Sequence, residues 1–373
     1  MVEYSDDLPS YCILLPMRNE NLDVVKELIK NVDALNYPKD KLDVVMMVDE
    51  DDDFLEDITN MEKPDHFRIV SSTAAFPFTK PKVCNLGLRT TNAEFVTIYD
   101  AEDKPDPDQL LKVLYKFEQD PDISCVQCRL HFNNESNNLM TRFFNLEYLT
   151  WFGLTIQGLS RVQGEEGIIP LGGTSQHIRT KDLIEVGGWD AFNVTEDCDL
   201  GVRLVREGKR IVISDSYTDE VAVDDVARYI PQRTRWQLGF MVTYLNHMKD
   251  FPNVARELGS KRFFHFIFSI LGNVLNPLIT PLLVFIWIKS LFFAGEGETY
   301  LNWLPTVTLI GNYVLLAFTH MLSAFRLQGG KNALVALIQP VYYLLQVYTV
   351  YRALWKLIRD PFTWEKTEHI HTH

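Results

Sequence analysis

The sequence predicts an α/β domain, its strands covered by helices, followed by a membrane portion. Three observations carry that expectation. Short apolar runs alternate with longer amphipathic segments through the first half, the pattern of a parallel sheet with helices on its faces. Acidic residues crowd the first third, where Asp49 to Asp53 reads Asp-Glu-Asp-Asp-Asp, whereas the last third is apolar and aromatic, a split that separates a water-facing part from a lipid-facing one. The 373 residues suffice for a catalytic domain plus a membrane portion, or for two soluble domains.

Candidate strands are Tyr11 to Leu15, Leu42 to Val48, Phe67 to Ser71, Phe95 to Tyr99 and Ile123 to Leu130. Between them Leu22 to Leu35, Lys82 to Arg89 and Pro107 to Phe117 carry apolar residues three and four apart, and Pro107 suits a helix start. This is a Rossmann-like βαβ series. Ligands of such sheets bind beyond the carboxyl ends of the strands, where Arg18-Asn19-Glu20, Asp49 and Asp100 fall. A helix-rich insertion runs from Leu139 to about Ser160, followed by Pro170-Leu171-Gly172-Gly173-Thr174-Ser175, whose glycines fit either a close backbone approach or a plain turn. A helix from Ala227 to His247 carries Gln232-Arg233-Thr234-Arg235-Trp236.

The apolar run Phe263 to Ala294 exceeds the ~20 residues that span a bilayer, and Pro277 and Pro281 interrupt it. It fits an interfacial helix leading into one span, or a tight hairpin. Leu301 to Phe325 has the length of a second span; Glu296-Gly297-Glu298 suits the outer side, and Arg326 and Lys331 the inner. Ala333 to Ile358, ending in Arg352, Lys356 and Arg359, fits a span or an interfacial helix equally. The expected organisation is a catalytic domain over 1–250, a membrane region over 251–358 with two to four spanning or interfacial helices, and a tail over 359–373. The first seven residues lack the basic and apolar blocks of a signal peptide, so the expectation is a multi-pass membrane protein with its catalytic domain in the cytosol.

Composition excludes some functions. A net charge of −14 argues against a nucleic-acid partner, which needs an excess of Lys and Arg. Five scattered cysteines do not form a secreted disulfide framework. Cys125 and Cys128 are spaced C-x-x-C, but within a strand-like run and without a second pair to complete a zinc site.

The charged clusters carry the chemistry. Asp100-Ala101-Glu102-Asp103 closes the strand at Phe95, and paired carboxylates there can hold Mg²⁺ or Mn²⁺ together with substrate phosphates; taken alone, the segment fits a solvated acidic turn equally well. Thr195-Glu196-Asp197 opens a helix, where such residues commonly cap. A carboxylate in that position beside a pocket can also act as general base toward an acceptor hydroxyl. In Gln232-Arg233-Thr234-Arg235-Trp236, an aromatic plane beside a guanidinium and a carboxamide can hold a sugar and a phosphate together, although an amphipathic helix carries the same residues for packing.

Taken in order, Leu15-Pro16-Met17-Arg18-Asn19-Glu20, Asp49, Lys80-Pro81-Lys82, Asp100-Ala101-Glu102, Thr195-Glu196-Asp197 and Gln232-x-x-Arg235-Trp236 resemble the inverting family 2 glycosyltransferases. The closer likeness is to the membrane-embedded branch that includes cellulose, hyaluronan and related β-glycan synthases. The resemblance covers about residues 10 to 260 and implies a GT-A fold. It implies that Pro16, Glu20 and Asp49 line a nucleotide pocket, that Lys82 approaches the diphosphate, and that Asp100 and Glu102 take the metal positions. Asp197, next to Glu196, matches the catalytic base. Gln232, Arg235 and Trp236 match the motif that holds diphosphate and acceptor, and Gly173 and Thr174 fall where relatives line the acceptor site. Phe362 to Thr367, with Trp364, Lys366 and Thr367, looks like the gating segment of cellulose synthases. Glu102 departs from the family's second Asp, Arg18 stands where an aromatic is common, and the membrane helices are fewer than in processive synthases.

The implied activity is transfer of a hexose from a nucleotide sugar, UDP-linked by expectation, to a growing β-linked polysaccharide. Single transfer to a lipid, as in ceramide glucosyltransferases, is the alternative within enzymes, and an inactive nucleotide-binding scaffold the alternative outside them. Implied partners are the donor, a saccharide or lipid acceptor, membrane lipids and accessory synthase subunits.

Overall fold

The computed structural model of the protein describes residues 8–49, 54–72, 76, 77, 79–156, 158, 170–293 and 299–359. Among them, strands β1 (Tyr11–Pro16), β2 (Leu42–Asp49), β3 (Phe67–Ser72), β4 (Phe95–Ile98), β5 (Lys104–Pro105), β6 (Ile123–Phe132), β7 (Gln176–Arg179) and β8 (Arg210–Glu220) form one sheet in the order β3-β2-β1-β4-β7-β6-β8-β5. The four strands from β3 to β4 are parallel. β7 runs antiparallel to both β4 and β6, while β8 is parallel to β6. The order reverses at β1, flanked by β2 and β4, and a crevice opens beyond the carboxyl ends at such a switch point.

Strand β1 is buried on both faces, Tyr11 through Leu15 having no exposed surface. Its period of two divides the core into layers. Ile13, Leu15, Val44 and Met46 pack on one face with Val25, Leu28 and Val32 of the helix Leu22–Asp33. Cys12, Leu14, Val45 and Met47 pack on the other. Asn21 caps that helix, accepting from the Asp23 amide at 2.8 Å. The helix expected from Lys82 starts earlier, as Lys80–Arg89, because Pro81 sits in the first turn, where no donor is needed. The helix expected from Pro107 starts later, as Gln109–Gln119.

A buried polar chain supports the loop after β4. His177 Nδ1 lies 2.6 Å from the Tyr11 hydroxyl and its Nε2 lies 3.0 Å from Gln109 Oε1, which also accepts from the Tyr99 hydroxyl at 2.7 Å. Since Gln109 Oε1 can only accept, His177 carries its proton on Nε2 and accepts from Tyr11. The Gln109 amide in turn donates to Tyr217 O and Thr218 Oγ1, fixing the Gln109–Gln119 helix to β8.

In the C-terminal third, Phe251–Phe266 continues through a π turn, Ile267–Leu271, into Gly272–Phe293, with a kink at Gly259, whose φ is 67°. The tight hairpin considered for residues 263–294 is not formed; a helix leads into a helix. Phe251–Phe292 and Trp303–Gln328 are each long and apolar enough to cross a membrane. Phe268, Leu282, Phe285, Ile310, Leu315 and Phe318 project outward, exposed. The stretch from Ala333 is broken rather than one long helix: Val335–Leu337, Gln339–Tyr342 and Leu344–Arg359 follow one another. Leu344–Arg359 is 16 residues, about 24 Å and short of a ~30 Å hydrocarbon layer. It buries Thr349, Val350 and Ala353, and shows an apolar stripe of Leu344, Tyr348, Tyr351, Trp355 and Ile358.

Candidate active site

The loop after β4 is organised by Asp103. Its Oδ2 accepts from the Asp100 amide at 2.7 Å and from the Thr174 hydroxyl, which is also 3.1 Å from Ile98 O. Burial, then Asp100 and Glu102, push the Asp103 carboxyl well above the usual carboxylate range. Gln127 on β6 holds the facing loop, donating to Thr174 O at 3.0 Å and accepting from the Gly172 amide at 2.9 Å. The Gly172-Gly173-Thr174 segment is thereby held beside Asp100, with ordinary van der Waals spacing at both glycines. A Cβ on Gly173 would lie 3.5 Å from Asp197 Oδ2 and 3.7 Å from Lys80 Nζ.

Lys80, and not Lys82, reaches this point. Its Nζ donates to Gly173 O at 2.7 Å and forms an ion pair with Asp100. Burial opposes its charge, but Asp100 and Glu196 outweigh burial and hold it above the usual lysine range. Lys82 is half-buried and does not line the cavity, since two residues along a helix turn a side chain through about 200°.

Thr195-Glu196-Asp197 begins the helix Glu196–Arg206. Thr195 makes no side-chain cap; Asn193 Oδ1 instead accepts from its amide at 3.1 Å. Asp197 Oδ1 accepts from the Cys198 amide at 2.7 Å. Burial lifts the Asp197 carboxyl to about 6, against the opposing pull of Lys80 and Arg235. Glu196 is raised to about 7 by burial and then by Asp197.

The helix Val226–Met248 crosses this segment at Gly239, where a Cβ would fall 2.3 Å from Thr195 Cγ2. Without a side chain there, the helix comes close enough to bring Gln232, Arg235 and Trp236 beside Asp197. Burial disfavours the Arg235 charge, and Glu196, Asp100 and Asp197 support it. Gln232 Oε1 is buried with no hydrogen-bond partner among the described residues. An unsatisfied buried acceptor in a cavity wall suits a ligand donor.

These segments enclose one cavity of about 510 Å³, ordinary for a small-molecule site. Pro16, Glu20, Asp100 and Glu102 line it from the β1 and β4 ends, Gly173 and Thr174 from the loop before β7, Glu196 and Asp197 from the start of the helix Glu196–Arg206, and Gln232, Arg235 and Trp236 from the long helix. Of the other residues singled out in the sequence, the side chain of Asp49 and all of Trp364, Lys366 and Thr367 lie outside the described residues. Two functional groups were missed. Lys80 was passed over for its neighbour, and Glu220, at the end of β8, lines the cavity with its carboxyl raised by burial and then by Asp103, Glu102 and Asp100. The β-branched run Ile211-Val212-Ile213 was the signal for that strand. The cavity also extends to Asn273, Thr319, His320, Tyr343 and Gln346 of the apolar portion.

Among the described residues no group of three or more His, Cys, Asp or Glu is placed to hold a metal ion. The Asp100 and Glu102 carboxylates on the cavity wall nevertheless fit an Mg²⁺ or Mn²⁺ ion that takes its remaining ligands from phosphates and water.

The profile of glycosyl transferase family group 2 matches residues 95–325. A probable glycosyltransferase, YdaM of Bacillus subtilis (strain 168), is 27% identical over 271 residues, 72% of this chain and 64% of its own. A probable glucomannan 4-beta-mannosyltransferase 7 of Oryza sativa subsp. japonica is 26% identical over 364 residues, 89% of this chain and 60% of its own. The chain thus spans less than two thirds of the length of either relative. A mannosyltransferase of Pyrobaculum calidifontis, PcManGT, solved in complex with GDP-Man and Mn²⁺, superposes with a TM-score of 0.59 at 18% identity, covering 96% of this chain and 91% of that one, and so shares the GT-A-like fold.

Proposed function

Because the chain belongs to glycosyl transferase family group 2, we propose that it is a membrane-associated inverting glycosyltransferase that moves a hexose from a nucleoside-diphosphate sugar to an acceptor hydroxyl. The observation that carries this reading is the convergence, in one cavity, of the Asp197 carboxylate with Lys80, Arg235 and the Asp100–Glu102 loop. Pro16 and Glu20 border the nucleotide. Lys80 and Arg235 face the diphosphate, their charges balancing the negative charge that grows on the leaving group. Asp100 and Glu102 would hold a divalent ion, which would supply further charge neutralisation at the phosphates when bound. Asp197 accepts the proton of the acceptor hydroxyl as its oxygen bonds to the anomeric carbon. The bond from that carbon to the diphosphate oxygen breaks on the opposite face, and inversion gives a β-linkage from an α-linked donor.

Trp236, with the neighbouring Phe144 and Tyr148 rings, offers the apolar planes on which sugar rings pack, which suits the acceptor. Extension of the cavity to Asn273, Thr319, His320 and Tyr343 favours an acceptor that lies partly among the membrane helices. The catalytic domain is read as cytosolic, and the acceptor as a growing β-glycan of the cellulose synthase-like kind, accessory subunits included. Transfer of one sugar to a lipid is the second reading, favoured by the cavity's reach to Thr319 and His320 on an apolar helix long enough to cross a membrane. The donor expected from the residues is a UDP-hexose. The mannosyl relatives, one solved with GDP-Man, make GDP-mannose the second donor to test.

Detergent-purified protein incubated with labelled UDP- and GDP-sugars and Mg²⁺ or Mn²⁺ tests the reading. The expected result is transfer from one donor; product length and lipid extractability then separate polymer from glycolipid. Nucleotide binding without transfer from any donor, with native-membrane extract supplied as acceptor, would overturn it in favour of a scaffold.

A further inference from the structure

Arg233 lies on the same helix as Gln232, Arg235 and Trp236 but is engaged differently. Its Nη1 and Nη2 donate to Glu147 Oε1 and Oε2 at 2.9 and 2.6 Å, a two-point grip that fixes the guanidinium plane. Glu147 receives two more donors, the Tyr342 hydroxyl at 2.9 Å and the Gln346 amide at 3.3 Å, so both carboxylate oxygens are filled. The pair is nearly dry, with side chains 7% and 15% exposed. The Arg233 Cζ stands 4.2 Å from the centre of the Trp236 ring, closer than to Phe144 at 4.8 Å or Tyr229 at 5.2 Å. Phe144 and Tyr148 flank the same indole at 6.4 and 6.1 Å, tilted by 48° and 49°.

We propose that Arg233, locked by Glu147, is the positioning residue for Trp236, setting the plane of the indole against which the acceptor sugar packs. The inference rests on Trp236 as acceptor platform. A guanidinium over one face leaves the indole only the other face for a ligand and fixes its orientation through cation–π attraction. Lysine cannot replace it, because an ammonium is a point charge without the flat fork that grips Glu147 and stacks on the ring. Through Tyr342 and Gln346, the setting of the indole is tied to the segment that packs beside the membrane helices.

A double-mutant cycle on the full chain in detergent tests this, comparing wild type, R233K, W236A and R233K/W236A for acceptor transfer, donor hydrolysis and thermal midpoint. R233K is expected to lower kcat/KM for the acceptor by about tenfold or more while donor hydrolysis changes by less than about threefold. In the W236A background the same change should add less than about twofold, since its target is gone. Wild-type transfer by R233K, or a loss that multiplies fully with that of W236A, would overturn the proposal. Wild-type acceptor kinetics in W236A would instead overturn the platform reading beneath it. Should R233K not fold, E147Q enters the same cycle, with the same expectation and the same overturning results.

Discussion

Gly239 and Thr195 touch where two helices meet, leaving no room for even one added carbon: a Cβ on the glycine would stand 2.3 Å from the threonine's Cγ2 and Oγ1. One helix carries Gln232, Arg235 and Trp236; the other begins with Glu196 and Asp197. Their distance apart is set at this contact.

Gly239→Ala should therefore damage rate and stability together. Overpacking of this kind costs about 1–3 kcal/mol, and the displaced helix should lose more than about tenfold in kcat/KM. Gly311→Ala, where a Cβ would meet nothing within 4 Å, is the control expected to leave both unchanged. Thermal melts and transfer assays on the two variants decide it; equal behaviour would contradict the packing argument.

The pH profile should report Asp197. Its carboxyl is lifted to about 6, so the ionised form that accepts a proton is lost as pH falls through about 6, and kcat/KM should drop about tenfold per unit below that. Asp197→Asn should lose about 10²–10⁴ in rate near neutral pH while still binding nucleotide, and its deficit should narrow toward acid, where wild type is already protonated. An acid limb that survives unchanged in residual Asp197→Asn activity would assign the titration elsewhere.

The two lysines of Lys80-Pro81-Lys82 should separate cleanly. Lys80→Met removes a cation held between Asp100 and Gly173 and should lower kcat/KM for the donor by about a hundredfold, as expected for a charge lost from a phosphate-facing site. Lys82→Met should stay within about threefold of wild type, since its side chain is off the cavity wall. Donor kinetics on both variants check this, and a larger loss at Lys82 would restore the role that the resemblance implies for it.

His177 should be visible in stability rather than rate. Burial lowers its pKa to about 3, against an ordinary value near 6.5, so the unfolded chain binds the extra proton first. The stability from keeping it neutral is complete above about 6.5 and drains away as pH falls toward about 3. Tyr11→Phe leaves Nδ1 without its donor, at a cost of about 1–3 kcal/mol. Denaturant melts between pH 4 and 8 measure both; a His177→Gln protein with the same acid slope would locate the effect in another group.

Much of this molecule was legible in its residues, and the failures have physical causes. β1, β2 and β3 were placed within a residue or two because each is built around a short apolar run bounded by polar residues, such as Val44 to Val48 in β2 and Ile69-Val70 in β3. β7 went unseen because Gln176-His177-Ile178-Arg179 owes its burial to Tyr11, Gln109 and the flanking strands, not to its own composition. The carboxylates at Asp100 and Asp197 announced themselves by standing after a strand and at a helix start. Glu147 could not be found that way: its partners Arg233, Tyr342 and Gln346 lie at least 86 residues away in sequence, and only the fold brings them together. The resemblance pointed to Lys82, whereas Lys80 lines the cavity, because Pro81 starts the helix earlier than the apolar spacing suggests and so sets which lysine faces inward.

The cavity takes Pro16 from the first strand and Tyr343 and Gln346 from beyond the second apolar helix, so its parts emerge from the ribosome more than three hundred residues apart. Until translation has passed Gln346, Glu147 and Arg233 have each other but not the two donors that complete their grip. Before that point a nascent chain carries Asp100, Asp197 and Arg235 of the proposed site with the indole insecurely set. On the proposed function, acceptor transfer waits on synthesis of the segment that holds Tyr342 and Gln346, long after the carboxylates of the site have been made.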